Sequence, residues 1–171
     1  MNQARYAEDA NYWDTTVHPA KSQAEIVELL EDFGTSNMMI TQGQAGGMVA
    51  WMVRFEWQGA VYRFTFVPLD CRNPDKESSF GGKRRKHTDQ ARFQMGRIAV
   101  HFVKAVLTAA EAHPHALFGF IELPGMGTYS SGLPVTAGEV GVERLVGALP
   151  PIEGGPLLSL GSGEIVEVTS L

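Results

Sequence analysis

Hydrophobic and polar residues alternate most regularly over residues 47–68, and this alternation predicts a β-hairpin. Its two strands are separated by Gln58 and Gly59, and glycine supplies the positive φ that a two-residue turn requires. Counting outward from this turn places six apolar side chains on one face of the hairpin: Trp51, Val53, Phe55, Tyr62, Phe64 and Phe66. Another element must cover this face. The opposite face sets Arg54 directly across from Arg63, and because like charges repel, we expect an anion beside them.

Helical periodicity occurs twice. Ser22 and Glu25 form a predicted capping box, and apolar residues follow at helical spacing until Gly34, which predicts a helix over 22–33. A longer apolar stripe starts after Thr88, its predicted cap, and ends before Pro114. We expect this second helix, 88–112, to cover the apolar face of the hairpin.

The remaining segments carry weaker signals. Residues 37–41 fit a third strand, 117–123 fit a further short strand, and 139–146 fit a short amphipathic helix. Residues 68–87 show no periodicity and are full of turn formers, so they predict a long loop. The expected fold is α+β: a helix, a three-stranded antiparallel sheet, and a long helix packed on one sheet face. An N-terminal arm (1–17) precedes this core domain (18–128), and an acidic Gly/Pro-rich tail (129–171) extends it.

Composition narrows the class of protein. The chain has 171 residues, 44% of them hydrophobic, and one cysteine, Cys71, so it can build a core but cannot form an intramolecular disulfide. It shows neither a signal peptide nor the roughly 20 apolar residues that a membrane span requires. We therefore expect a cytoplasmic protein without a membrane partner.

Charge is unevenly distributed along the sequence. Residues 1–120 contain thirteen basic and thirteen acidic side chains, whereas residues 121–171 contain six acidic side chains and only Arg144. Within the balanced part, residues 72–97 hold eight basic side chains against three acidic ones. This local excess predicts a cationic surface on an otherwise acidic protein.

A cationic segment of this kind can neutralise phosphates whatever the base sequence, so DNA or RNA is a candidate partner. The order of elements, with a glycine- and lysine-rich segment entering the last helix, also resembles double-stranded RNA-binding domains. The alternative is that these residues form a solvated basic loop whose charge balances that of the acidic tail. The candidate nucleic-acid-binding residues are Lys83, Arg84, Arg85, Lys86, Arg92 and Arg97, together with Arg54 and Arg63 on the second sheet face.

Enzymatic activity has little support in the sequence. The GQAGG segment opens a strand and lacks the Lys and Ser/Thr of a phosphate-binding loop, so we expect no cofactor. His113 and His115 are not at a helical ligand spacing, which argues against a metal site. Cys71 stands alone, and the spacing of the three acidic residues at 70, 75 and 77 does not distinguish a Mg²⁺ site from a solvated loop.

Three stretches of the chain carry recognisable motifs. The first is an S-x-x-E-I-x-x-L-L helix that ends in glycine, the second is a helix that continues into V/I-K-A-x-L, and the third is an L-P-x-G-x-T element. The residues that form them are Ser22, Glu25, Ile26, Leu29, Leu30 and Gly34, then Lys104 and Ala105, then Leu123, Pro124, Gly127 and Thr128. With these motifs the chain resembles a family of small uncharacterised proteins from bacterial phages and prophages. Gln94, Met95 and Gly96 depart from that family, which usually has a second arginine and a bulky residue at this turn. The resemblance implies a phage or prophage setting rather than a mechanism.

A protein of this kind has a second possible role that involves no nucleic acid. The acidic tail is dotted with apolar segments and could mask the basic surface or bind other phage replication or structural proteins. Non-enzymatic protein–protein interaction is therefore the alternative function.

Overall fold

A computed structural model describes residues 6–45, 48–129 and 131–140. Three helices are present in these ranges: α1 (Pro19–Asp32), α2 (His87–Ala112) and the single turn α3 (Ala137–Val140). Five strands accompany them: β1 (Ser36–Ala45), β2 (Met48–Trp57), β3 (Ala60–Phe66), β4 (Glu77–Phe80) and β5 (Lys83–Lys86). Short 3₁₀ helices span Ala7–Asp9, Pro114–Phe120 and Pro124–Met126. The fold is α+β, as predicted.

The main sheet is antiparallel in the order β1-β2-β3, and the predicted hairpin register is confirmed. Trp57 pairs with Ala60, and each further pair follows the count from the turn. Gln58 and Gly59 both have positive φ, at 50° and 76°, which fits a two-residue turn that matches the strand twist. β1 is longer than the predicted strand over 37–41, because its pairing with β2 continues as far as Ala45 opposite Met48.

The long helix packs on the apolar face of the sheet, as predicted. Phe64 is 1% exposed and meets Phe102 of α2 edge-on, with 5.5 Å between the ring centroids. Ile26 and Leu30 of α1 join the same core, together with Val103 and Leu107 of α2. Burial of this aromatic and aliphatic surface is the main stabilising term of the fold.

Gly96 sets the distance between α1, α2 and the sheet. A Cβ at this position would lie 3.1 Å from Ser22 Oγ and 3.1 Å from the Trp51 ring. Glycine therefore allows a close approach of the three elements, because a Cβ at these distances would force its neighbours to shift by a few tenths of an ångström.

Two predicted boundaries need correction. α1 begins at Pro19, and His18 caps it by accepting a hydrogen bond at Nδ1 from Ala20 N–H at 3.2 Å. Proline is well suited to the first helical position because it needs no donor there, so Ser22 lies inside the helix and is buried. α2 begins at His87, one residue before the predicted cap.

The strand predicted over 117–123 is also wrong. Pro114–Phe120 forms a 3₁₀ helix, and only Ile121 pairs with the sheet, through an isolated bridge to Tyr62. Phe120 packs edge-on against Phe64, with 4.9 Å between the ring centroids, so this segment packs against the core. Of the helix predicted over 139–146, residues 141–146 lie outside the described ranges.

The largest correction concerns residues 68–87. This segment contains a second two-stranded antiparallel sheet, β4 with β5, in place of the expected irregular loop. Gly81 and Gly82 form its turn with φ values of 57° and 79°, and Phe80 anchors it in the core. The basic cluster therefore lies on a strand with defined alternation.

None of the helices in the described ranges is long and apolar enough to cross a membrane.

Candidate nucleic-acid interface

Strand β5 leads its cations directly into the first turns of α2. A groove of about 540 Å³, which we call the basic groove, is lined by three of them, Arg84, Arg85 and Lys86, and by Arg92 of α2. Pro19, Phe93 and two acids, Glu77 and Asp89, complete its walls. Lys83, the first residue of β5, is exposed beside the turn. The structure thus brings five of the predicted residues into one region.

The cations of the basic groove have acidic neighbours, but these pairs are long and solvent-exposed. Arg84 lies 3.3 Å from Glu77, Lys86 lies 3.4 Å from Asp75, and Arg92 lies 3.5 Å from Asp89. The Arg84 side chain is 77% exposed. Exposed pairs of this kind contribute about 0–1 kcal/mol each. An incoming phosphate can therefore replace an acidic partner at little cost.

Arg85 is held more firmly than the other groove cations. Its guanidinium lies 4.0 Å from the centroid of the Phe93 ring, and Nη1 donates to Gln90 Oε1 at 2.9 Å. Gln90 is fully buried and donates through Nε2 to the carbonyl oxygens of Trp13 and Thr15. A cation stacked on an aromatic ring forms a flat, preorganised wall of the groove.

The N-terminal arm supports the groove from behind. Gln94 Nε2 donates to the Ala7 and Asn11 carbonyls at 2.9 and 2.8 Å, one helix turn after Gln90. Tyr12 stacks on His101 of α2 with 4.7 Å between the centroids. Because Gln90 and Gln94 bind main-chain carbonyls of the arm, the arm is fixed to the face of α2 that these two residues share.

Arg97 lies away from the basic groove. Its Nη1 donates to Glu25 Oε2 at 2.6 Å, and its side chain is only 17% exposed. This bond joins α2 to α1. The structure therefore gives Arg97 a role in helix packing.

Arg54 and Arg63 also lie outside the groove, and the sheet face around them is not open. Arg54 forms a bidentate pair with Glu122, whose carboxylate is 2% exposed, with a shortest distance of 2.7 Å. Arg63 is buried and donates to Glu139 at 2.8 Å. The anion expected between the two arginines is thus supplied by two carboxylates that follow α2 in the chain.

In each pair, the pKa of one partner is shifted in the direction that favours its charged form. Burial raises the pKa of Glu139, whereas hydrogen bonds from Thr136 and the charge of Arg63 lower it, and the net pKa lies below the ordinary value. The hydrogen bond from Arg54 to Glu122 raises the pKa of the Arg54 guanidinium. Both shifts favour the charged forms, the Glu139 carboxylate and the Arg54 guanidinium.

Cys71 is not set up as a nucleophile. Burial, together with the negative charges of Glu8 and Asp70, raises the pKa of its thiol to about 11. A thiol with this pKa is protonated at neutral pH and reacts slowly. Within residues 6–45, 48–129 and 131–140, no three His, Cys, Asp or Glu side chains come together as metal ligands.

One polar cluster beside the groove was missed at the level of sequence. Ser78 Oγ lies 2.9 Å from His87 Nε2, and His87 Nδ1 lies 2.9 Å from Glu8 Oε1. The sequence did contain a signal for part of this cluster. If Gly81 and Gly82 are taken as a hairpin turn, Ser78 falls opposite Arg85 and therefore close to His87. Glu8 had no such signal, since it is 79 residues from His87.

Comparison of the chain with models of protein families, with curated proteins and with solved structures finds no match.

Proposed function

We propose that the protein binds nucleic acid without sequence preference through the basic groove, as an accessory protein of a phage or prophage in the bacterial cytoplasm. The observation that carries the proposal is the convergence of four cations on one groove whose acidic partners are weak, exposed and replaceable. Phosphate recognition requires such cations and gives affinity whatever the bases are. The phage setting rests on the sequence motifs. Neighbouring recombinase or helicase genes would favour nucleic-acid binding, whereas neighbouring capsid or tail genes would favour the protein–protein interaction role.

The stacked pair of Arg85 and Phe93 supports the same assignment. Aromatic rings and guanidinium planes are the surfaces on which proteins stack unpaired bases. A strand lying along β5 would place phosphates near Lys83, Arg84 and Lys86. Arg54, Arg63 and Arg97 are left out of the proposed interface because internal carboxylates already bind them.

The proposal predicts a specific salt dependence. If four cations each neutralise one phosphate, the logarithm of the association constant should fall by about 3 for each tenfold increase in salt. Fluorescence anisotropy of short labelled oligonucleotides, single-stranded and duplex, DNA and RNA, measures this slope.

Two charge-reversing variants provide a matched comparison. Arg84→Glu changes an exposed groove cation, and Lys104→Glu changes an exposed cation on a later part of α2. The first should weaken binding to all sequences alike and reduce the salt slope, because one phosphate contact is lost, while the second should have little effect. No binding at low salt, or equal losses in the two variants, would overturn the proposal in favour of a protein–protein interaction role.

A further inference from the structure

Ser78, His87 and Glu8 form a continuous hydrogen-bonded chain at the junction of three elements. Ser78 lies on β4, His87 is the first residue of α2, and Glu8 belongs to the 3₁₀ helix of the arm. Both links measure 2.9 Å, and they use the two different nitrogens of the imidazole ring. A nucleophile within reach of a base, with the base oriented by a carboxylate, is the arrangement that activates serine in acyl transfer.

The carboxylate determines which nitrogen can act as the base. Burial raises the pKa of Glu8, but hydrogen bonds from its own N–H, from His87 and from the N–H groups of Arg72 and Asn73 lower it below the ordinary value. An ionised carboxylate can only accept hydrogen bonds. In neutral His87, Nδ1 must then carry the proton that is donated to Glu8. Nε2 is left to accept the hydroxyl proton of Ser78.

The imidazole ring is also held in place by packing. His87 is only 5% exposed, and its ring meets the Trp13 ring edge-on with 5.0 Å between the centroids. The Phe80 ring, on β4, also lies edge-on to the His87 ring, with 6.4 Å between the centroids. A base that is fixed in orientation loses no entropy when it takes up the proton.

A positive charge is available on the nucleophile's side of the hairpin. Arg85 is the cross-strand partner of Ser78, so both side chains leave the same face of the β4–β5 pair. Besides the N–H that bonds Gln90, the guanidinium carries further donors that can stabilise a developing oxyanion. Arg85 also lines the basic groove, which favours substrates that carry a negative charge near the reacting carbonyl.

We propose that Ser78 is a nucleophile activated by His87 and that it cleaves carboxylic esters bearing an anionic group. Ser78 Oγ bonds to the carbonyl carbon while its proton moves to His87 Nε2. The carbon–oxygen bond to the alcohol then breaks, and the alkoxide takes the proton from His87. Water, deprotonated by His87, attacks the acyl-serine carbonyl carbon. The bond between that carbon and Ser78 Oγ then breaks, Oγ takes the proton back from His87 Nε2, and a carboxylic acid is released. Ser78 and His87 are the catalytic residues, and Glu8 is a positioning residue.

The test is covalent labelling of the full chain by a fluorophosphonate, followed by mass spectrometry of the labelled peptide. The hairpin provides a matched control, because Ser79 is adjacent in sequence but its side chain leaves the opposite face of β4. The label is expected on Ser78. Ser79→Ala should react like the unmodified protein, while Ser78→Ala should lose the label.

Steady-state hydrolysis tests the substrate class and the base. We expect para-nitrophenyl hydrogen succinate to be cleaved faster than para-nitrophenyl acetate, and Arg85→Gln to reduce that preference. His87→Ala should lower the rate by about 10²-fold or more, the contribution of a general base. Added imidazole should restore part of the rate in His87→Ala but not in the double variant with Glu8→Gln, a difference that a purely structural Glu8 would not produce.

Melting curves of each variant show whether it is folded, and labelling of the unmodified protein does not depend on any variant. Label on Ser79 as fast as on Ser78, or no label on the folded unmodified chain, would overturn the proposal. Nucleic-acid binding is measured separately, so either activity can fail without the other.

Discussion

Phe64 is the residue on which the sheet, the long helix and the segment after it converge. It is 1% exposed and meets Phe55, Phe66, Phe102 and Phe120 at centroid distances between 4.9 and 6.4 Å. The neighbouring rings are tilted or edge-on to Phe64, which are favourable arrangements for aromatic pairs. Truncation would therefore leave a cavity among rigid neighbours that cannot collapse into it.

Replacing Phe64 by Ala should lower the free energy of unfolding by roughly 3 to 5 kcal/mol. Phe118→Ala is the matched control because Phe118 is 55% exposed, and it should cost only about 0.5 kcal/mol. Urea unfolding followed by tryptophan fluorescence measures both. A loss under about 1 kcal/mol for Phe64→Ala would mean that the core is assembled differently.

At the scale of elements, two ion pairs join the segment after α2 to the second face of the sheet. Glu122 binds Arg54 of β2, and Glu139 binds Arg63 of β3. Each pair offsets the desolvation of a largely buried charge, because Glu122 is 2% exposed and Arg63 is 4% exposed. Removal of either partner therefore leaves a charge without compensation.

Arg54→Ala should lower the free energy of unfolding by roughly 3 to 5 kcal/mol, since the Glu122 carboxylate loses its partner. The double variant Arg54→Met with Glu122→Leu should recover most of that loss. Arg84→Ala removes an arginine from an exposed pair and should cost under about 1 kcal/mol. If Arg54→Ala and Arg84→Ala destabilise the protein equally, the buried pair does not have the role assigned to it.

The two hairpins show why one element could be predicted from the sequence and the other could not. β2 and β3 alternate apolar and polar side chains, and this alternation with the Gln58–Gly59 turn determines their register. The second hairpin is almost entirely polar on both faces, since β4 reads ESSF and β5 reads KRRK. Only the turn glycines, Gly81 and Gly82, indicate it in the sequence. The pairing of Arg54 with Glu122 spans 68 residues, and no local pattern reports a contact of that range.

Glu8 joins the arm to α2, through His87, and to the segment before β4, through the Arg72 N–H, which makes this attachment sensitive to acid. The pKa of Glu8 is lowered in the folded protein by hydrogen bonds that outweigh the effect of burial. The stability that it contributes is fully present above the ordinary pKa of a glutamate and is lost as the pH falls through the lowered pKa.

Glu8→Gln should therefore be less stable than the unmodified protein at neutral pH, and the difference should shrink on acidification through that range. Urea unfolding at a series of pH values measures this difference. A difference that stays constant from neutral pH to about pH 3 would show that the Glu8 charge does not contribute.

For the whole molecule, the distribution of charge bears on both the proposed function and the choice of a truncation. Residues 141–171 contain four acidic side chains and one basic side chain, so they account for three of the five net negative charges. Residues 131–140 belong to the folded part, because Glu139 binds Arg63 and Ala137 N–H donates to the Ile121 carbonyl at 2.9 Å. A truncation that tests the tail must therefore end after Val140.

The chain ending at Val140 should bind nucleic acid more tightly than the full chain. Removal of residues 141–171 changes the net charge from −5 to −2 and takes away carboxylates that, as we propose, compete with phosphates for the basic groove. This gain should be largest at low salt and fade at high salt, because screening weakens the competition. Anisotropy titrations of both chains at several salt concentrations measure it, and equal melting temperatures show that the fold is intact. A further truncation, before Glu139, should also lower the melting temperature, because it leaves Arg63 buried without its partner. Equal affinities of the full chain and the chain ending at Val140 at low salt would mean that the tail does not compete for the groove.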